Sequence, residues 1–145
     1  MIWFGGRRPS LEEVRNRQKD TINEYIGVRI TEIGDDYLRG TMPVDHRTRQ
    51  PNGVLHGGAT VVLAETLGSV AAVLTVDSAR YLCMGLEINA NHLRAVREGI
   101  VTGTARPFHT GRSTQVWGIE VTDEDGRRTA VCRITVAVLD TEARR

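Results

Sequence analysis

Gly57-Gly58-Ala59-Thr60-Val61-Val62-Leu63-Ala64-Glu65-Thr66-Leu67-Gly68-Ser69-Val70-Ala71-Ala72-Val73-Leu74-Thr75-Val76 sets the fold of this chain. Ala, Val and Leu occupy almost every face of the helix these residues would form, and a helix apolar all round has to be wrapped by other structure. The β-branched residues Val61, Val62, Val70 and Val73 lower its helix propensity, so packing must hold it. The apolar part, residues 61–76, is interrupted by Glu65, Thr66, Ser69 and Thr75 and is shorter than the ~20 residues of a membrane span. The expectation is a core helix and no membrane partner.

Working outward, four extended segments follow. Leu82, Met84, Leu86, Ile88 and Ala90 alternate along the first, and the others cover about residues 100–108, 114–122 and 129–139. In the last, Cys132, Ile134, Val136 and Val138 alternate with Arg133, Thr135 and Ala137, the period of a half-buried strand. Arg97-Glu98-Gly99, His109-Thr110-Gly111 and Asp123-Glu124-Asp125-Gly126 are turn sequences, short enough to make neighbouring strands antiparallel. Upstream, residues 28–33 and 37–44 flank Gly34-Asp35-Asp36 as a hairpin, and the polar stretch 45–52, with Pro51, is a loop. Ser10 with Glu13 is a capping box that starts a broken amphipathic helix ending near Gly27, so residues 1–26 form an N-terminal helical segment. The sum is α+β, with one antiparallel sheet wrapped around one long buried helix in a single domain, residues 1–145.

Composition narrows the function. The chain of 145 residues has 19 basic and 18 acidic residues, a net charge of +1, which excludes the marked basic excess of a general nucleic-acid binder. Cys83 and Cys132 stand in apolar surroundings outside any CxxC or Cys/His cluster and read as reduced core thiols of a cytoplasmic protein. The N-terminus has no secretory h-region. His46, His56, His92 and His109 are too scattered to argue for a metal.

Gln50-Pro51-Asn52-Gly53-Val54-Leu55-His56-Gly57-Gly58 leads directly into the helix. Paired glycines at a helix start leave backbone N–H groups that a ligand can approach, and the helix dipole favours negative charge there. Such a place serves as packing or capping, or as an oxyanion hole for acyl transfer. Glu65 is the only charged residue between His56 and Asp77, with no cation nearby in sequence to pair it. Burying an unpaired carboxylate is costly, so Glu65 is a candidate functional group. Ser69 shares its face one turn later and either orients the carboxylate or a water, or bonds back to a helix carbonyl. Gly57 and Glu65 are separated by ~12 Å of helical rise, and the Glu side chain cannot close that gap. If both act on one carbonyl carbon they come from different subunits, which requires a homo-oligomer.

The run from Gly53 to Ala71 resembles the central motif of hotdog-fold thioesterases. Within them it is similar to the branch of the bacterial dihydroxynaphthoyl-CoA thioesterase and the proofreading thioesterase of enterobactin synthesis, which is related to the Arthrobacter-type hydroxybenzoyl-CoA thioesterase. The likeness extends to Ile33-Gly34-Asp35-Asp36, Met42-Pro43-Val44-Asp45, Gly85-Leu86-Glu87-Ile88-Asn89-Ala90-Asn91-His92 and Gln115-Val116-Trp117, and covers Ile26 to about Leu139. The resemblance implies a hotdog fold and Glu65 as catalytic carboxylate, either nucleophile or general base. It implies that the Gly57 N–H binds the thioester oxygen, that His56 and Gln50 position or polarise the thioester, and that Ser69 assists water. Thr66 follows Glu65 here, a small departure. Family members are dimers of dimers with shared sites.

His92 lies at the end of its strand on the face of Ile88 and Ala90, either as a core-margin histidine or, as the resemblance implies, beside the acyl pocket. That pocket is expected from the long helix and the strand near Met84 and Gly85. For the coenzyme end, Arg94, Arg97, Arg106 and Arg112 cluster around strand ends, and His109-Thr110-Gly111-Arg112-Ser113 forms a Gly turn. Arg suits phosphate through its fork, and such a turn can offer N–H groups to an anion. The substrate expectation is an acyl-CoA, with aromatic acyl groups implied by the resemblance; an acyl- or aryl-carrier protein is a second candidate partner. No cofactor is expected, coenzyme A being part of the substrate. A hotdog hydratase or dehydratase and a non-catalytic acyl-CoA-binding module are the alternatives.

Overall fold

Two short helices stand where one broken helix was expected. In the computed structural model, which describes residues 1–144, α1 spans Leu11–Asn16 and α2 spans Ile22–Ile26. Arg145, the last residue of the expected domain, lies outside the described residues. Ser10 caps α1 by accepting from the Glu13 N–H. Asp20 then takes φ 58°, which no right-handed helix can continue through, and Thr21 restarts the chain by capping α2 at the Asn23 N–H. Ahead of α1, the buried Trp3 donates from Nε1 to the Gly34 carbonyl at 2.7 Å and ties the N-terminus to the first hairpin.

That hairpin pairs β1 (Arg29–Ile33) with β2 (Leu38–Pro43). After it come α3 (Gly57–Leu74), β3 (Tyr81–His92), β4 (Ile100–Thr110), β5 (Thr114–Thr122) and β6 (Arg128–Asp140). The strands form one six-stranded sheet in the order β1-β2-β4-β5-β6-β3, every pairing antiparallel. The chain thus leaves β2 near one edge, crosses the sheet as α3, and returns as β3 on the far edge. Among the described residues β3 has β6 on one side and no strand on the other.

α3 lies across one face and touches β2, β3, β4, β5 and β6. The period-two pattern puts Val101 and Ala105, Trp117, Ile119 and Val121, and Ile134 and Val136 on that face, all buried against Leu63 and Leu67. Gly68 permits the closest approach: a Cβ there would collide with the Ile134 side chain.

The structure changes two expectations. The sheet covers only one side of α3. Leu63, Ala64, Leu67, Gly68, Ala71 and Ala72 are buried, while Gly58, Val62, Glu65, Ser69 and Val73 form a stripe left partly or fully open, because one curved layer cannot enclose a cylinder. Glu65 is therefore half-buried. The alternation along β3 is also broken. Gly85 pairs with Val136 and Glu87 with Thr135, so Leu86 is an extra residue, a bulge that reverses which face the side chains take. Leu82 and Met84 sit opposite Leu139 and Ala137 on the face away from α3, whereas Ile88, Ala90 and His92 sit opposite Ile134, Cys132 and Ala130 on the helix side.

Replacing Gly68 with Ala raises helix propensity by about 1 kcal/mol. Overpacking against the χ1-restricted Ile134 costs about 1–3 kcal/mol and outweighs it. Urea denaturation of Gly68→Ala is expected to show a lower midpoint at unchanged m-value; a midpoint at or above wild type would show that α3 has room to move off the sheet.

Candidate active site

The loop before α3 is tied down by backbone hydrogen bonds. His56 N donates to the Thr48 carbonyl at 2.8 Å, Leu55 N to Val96 at 2.7 Å, Gln50 N to Val54 at 2.8 Å and Gly53 N to Gln50 at 2.9 Å. At the head of the loop Arg47 hydrogen-bonds the Asp45 carboxylate at 2.8 Å and pulls its pKa from 3.8 down to about 2. His56 is the N-cap of α3, its Nδ1 accepting from the Gly58 N–H at 2.8 Å. That bond leaves Nε2 of the ring free to donate. The Ala59 and Thr60 N–H groups both reach the His56 carbonyl. Gly57 N–H has no acceptor among the described residues, and it lies at the positive end of the helix dipole. Such a donor suits the oxygen of a carbonyl that becomes an oxyanion.

A cavity of about 360 Å³ opens at this point, with Gln50, Gly57, Thr60, His92 and Arg94 in its wall. The His92 ring stands over the helix start: a Cβ on Gly57 would lie 2.9 Å from His92 Nε2. A side chain at 57 would push the His92 ring aside. The fold thus brings Gln50, Gly57 and His92 together from a loop, a helix start and a strand end.

Glu65 is elsewhere on the protomer, ~12 Å further along α3. Its Oε1 accepts from Ser69 Oγ at 3.3 Å, its one side-chain hydrogen bond among the described residues. Across from it is Gly85 of β3, where a Cβ would lie 2.8 Å from Glu65 Oε1. An oxyanion donor with two polar side chains and a carboxylate with a hydroxyl partner are the parts of an acyl-transfer site, held in two places on the same helix.

The profile of the thioesterase superfamily matches residues 52–130. The chain belongs to the thioesterase superfamily. It is 48% identical over 139 residues to the 1,4-dihydroxy-2-naphthoyl-CoA hydrolase of Escherichia coli, a match covering 96% of this chain and 100% of that protein. It is 47% identical to the proofreading thioesterase EntH of Cronobacter turicensis, over 96% of this chain and 99% of the relative. Among solved structures, a glutamine-to-alanine variant of the thioesterase PA1618 from Pseudomonas aeruginosa superposes with a TM-score of 0.93 at 47% identity, covering 97% of this chain and 99% of that one. The fold is the hotdog fold, and the chain is a hydrolase acting on thioesters.

Other expected positions of this thioesterase lie apart from the cluster at the helix start. Met84 faces away from α3 because of the Leu86 bulge, so within the protomer it does not line a pocket beside the helix. Gly85 acts by making room for Glu65. Arg106 points from β4 on the outer face of the sheet, paired with Asp36 at 2.7 Å and stacked over the Tyr37 ring at 4.7 Å, so its charge is already partnered. His109 lies near the end of β4, and Gly111, Arg112 and Ser113 form the β4–β5 turn, held by Gly111 N to Thr114 O and Val138 N to Ser113 O, both 2.9 Å. That turn lies beside Ala137, whereas His92 pairs with Ala130, about 23 Å along β6 at ~3.3 Å per residue. Both cysteines are free, and burial pushes the Cys132 thiol up to about 11.

Sequence reasoning missed a relay behind Glu65. Thr66 Oγ1 donates to Asn23 Oδ1 and Asn23 Nδ2 donates to Gln18 Oε1, each at 2.7 Å. Its members are 43 and 5 residues apart, so no local pattern marks it. The signal for Gly85 was available: an isolated glycine inside a strand marks a bulge or a close approach.

Gly85→Ala is expected to fold normally and to lose thioesterase activity, because the new methyl displaces the Glu65 carboxylate. Activity equal to wild type would show that the carboxylate does not need that position. The Asp45 carboxyl is expected to titrate near pH 2 by carbon-detected NMR and to return toward 3.8 in Arg47→Ala. Since the folded value is depressed, the pair's contribution is present above about pH 4 and is lost as pH falls toward 2. An unchanged Asp45 midpoint in Arg47→Ala would show that the arginine is not its cause.

Proposed function

We propose that this thioesterase hydrolyses aromatic acyl-CoA thioesters in the cytoplasm, as a dimer of dimers whose active sites each combine two protomers. One observation carries the reading. The free Gly57 N–H, with Gln50 and His92, lies two turns of helix from Glu65, so a single carbonyl cannot meet both within one chain. The open edge of β3 supports pairing. Leu82, Met84 and Leu86 on it are 49%, 49% and 64% exposed, and an unpaired apolar edge is a template for another chain. Twofold pairing along β3 makes an isologous contact and faces the Glu65 of one protomer toward the helix start of the other.

In such a site the thioester oxygen accepts from the Gly57 N–H, His56 Nε2–H adds a second donor, and Gln50 and His92 hold the thioester. Glu65 of the second protomer either attacks the carbonyl carbon, giving a mixed anhydride that water opens, or takes the proton of a water that attacks directly. Ser69 orients the carboxylate. The C–S bond breaks, the thiolate takes a proton, and one water is consumed per acid released. Water closes that balance, so we assign no cofactor. The unpaired Cys83 and Cys132 support a reducing compartment. The exposed turn with Arg112 and Ser113 is assigned to the coenzyme end, where a guanidinium suits phosphate.

The Escherichia coli relative's name, a naphthoyl-CoA hydrolase, supports the aromatic acyl group. The Cronobacter relative's proofreading role favours a second reading, editing of acyl groups on a carrier protein. Thiol release from benzoyl-, hydroxybenzoyl-, naphthoyl-, phenylacetyl- and medium-chain acyl-CoA separates them. Turnover is expected on the aryl CoA thioesters, with kcat falling about 100-fold or more in Glu65→Ala. Silence on every CoA thioester with activity on an aryl carrier protein would establish the second reading, and silence on both would refute the assignment.

Sharing of the site has its own test. Coexpressed Glu65→Ala and His92→Ala chains, each inactive alone, are expected to recover about a quarter of wild-type sites. Random pairing makes half the dimers mixed, each with one intact site. No recovery from a mixed preparation would place the whole site in one protomer.

A further inference from the structure

We propose that the N-terminal segment, α1 with the turn after it, forms one wall of the acyl pocket and sets the size of the acyl group accepted. The proposal rests on the thioesterase reading above and names an element of specificity within it.

A cavity of about 200 Å³ lies between α1 and the C-terminal half of α3. Val14, Arg17 and Gln18 form one wall; Ser69, Val70, Val73 and Leu74 form the other. Its lining is carbon-rich, as an acyl group requires. Ser69 belongs both to this wall and to the hydrogen bond on Glu65 Oε1. The cavity therefore begins about 6 Å, one helical turn, beyond the carboxylate along the open stripe of α3. An acyl group with its carbonyl at Glu65 enters it by running along the helix toward Leu74. The cavity lined by Thr104, Arg106, Phe108 and Glu120 lies on the opposite face of the sheet and cannot be reached from Glu65. For scale, an engineered apolar cavity of roughly 150 Å³ holds benzene. The present one has room for one aromatic ring with small substituents, or a short chain.

The wall is held in place from two sides. Arg15 Nε donates to the Ile30 carbonyl at 2.7 Å and fixes α1 on β1. The relay from Thr66 through Asn23 to Gln18 fixes the turn after α1 to the helix position next to Glu65. This segment lies outside residues 52–130, the part shared across the superfamily. The second wall of the cavity is thus supplied by an element attached to the common body.

Two variants fill the cavity from opposite walls: Arg17→Trp, on the exposed end of α1 where the side chain has no hydrogen bond among the described residues, and Val73→Phe, on α3. Their kcat/KM is measured on acetyl-CoA, whose acyl group stops short of the cavity, and on benzoyl-CoA, whose ring enters it. Both are expected to lose about tenfold or more on benzoyl-CoA while staying within about twofold on acetyl-CoA. Val73→Ala, which enlarges the cavity and cannot fail through overpacking, is expected to raise the naphthoyl-to-benzoyl ratio by about threefold or more. Equal losses on the short and aromatic substrates in the filled variants, or an unchanged ratio in Val73→Ala, would overturn the proposal. A wild-type enzyme that hydrolyses no thioester would instead mark the failure of the thioesterase reading, before any variant is compared.

Discussion

The packing of one apolar helix on one antiparallel sheet governs everything else in this protein. At Gly68 the backbone of α3 comes so near Ile134 that no side chain fits between them. At Gly85 the sheet gives way in the same manner to the Glu65 carboxylate. The first contact sets the depth and rotation of the helix; the second uses that rotation to aim a charged group. Because the helix is rigid and close-packed along its buried side, the positions of Gly57, Glu65 and Ser69 are coupled: none can shift without moving the core.

The helix also serves as a ruler. Its first free N–H and its carboxylate lie two turns apart, each with its own local support: the His56 cap and His92 at one, Ser69 and Gly85 at the other. The start of α3 uses up its other N–H groups, on His56 Nδ1 and the His56 carbonyl, so one donor remains. The proposed site shared by two protomers rests on this spacing. The open edge of β3, with Leu82, Met84 and Leu86 exposed on it, would be a liability on an isolated chain.

The N-terminal segment shows how a common body acquires its own character. Trp3, Arg15 and Asn23 each fasten it to a different part of the fold, the first hairpin, β1 and α3. Together these bonds hold α1 and the turn after it along the same helix that carries the carboxylate.

Much of this was written in local sequence. The apolar run with a lone Glu65, the glycine pair after His56, the alternating strands and their Gly/Asp turns follow from periodicity and backbone chemistry, which act over a few residues. The separation of Gly57 from Glu65 also followed, since helical rise is constant. Other features depended on pairing across the chain. The bulge at Leu86, which turned Met84 away from the helix and kept His92 beside Gly57, exists only because β3 must register with β6. The half-wrapped helix and the Thr66–Asn23 hydrogen bond likewise arise from contacts between residues distant in sequence. The sequence by itself determined the elements and the chemical groups they carry; the tertiary structure decided which face each group took, because a side chain's direction on a strand or helix is settled by what packs against it.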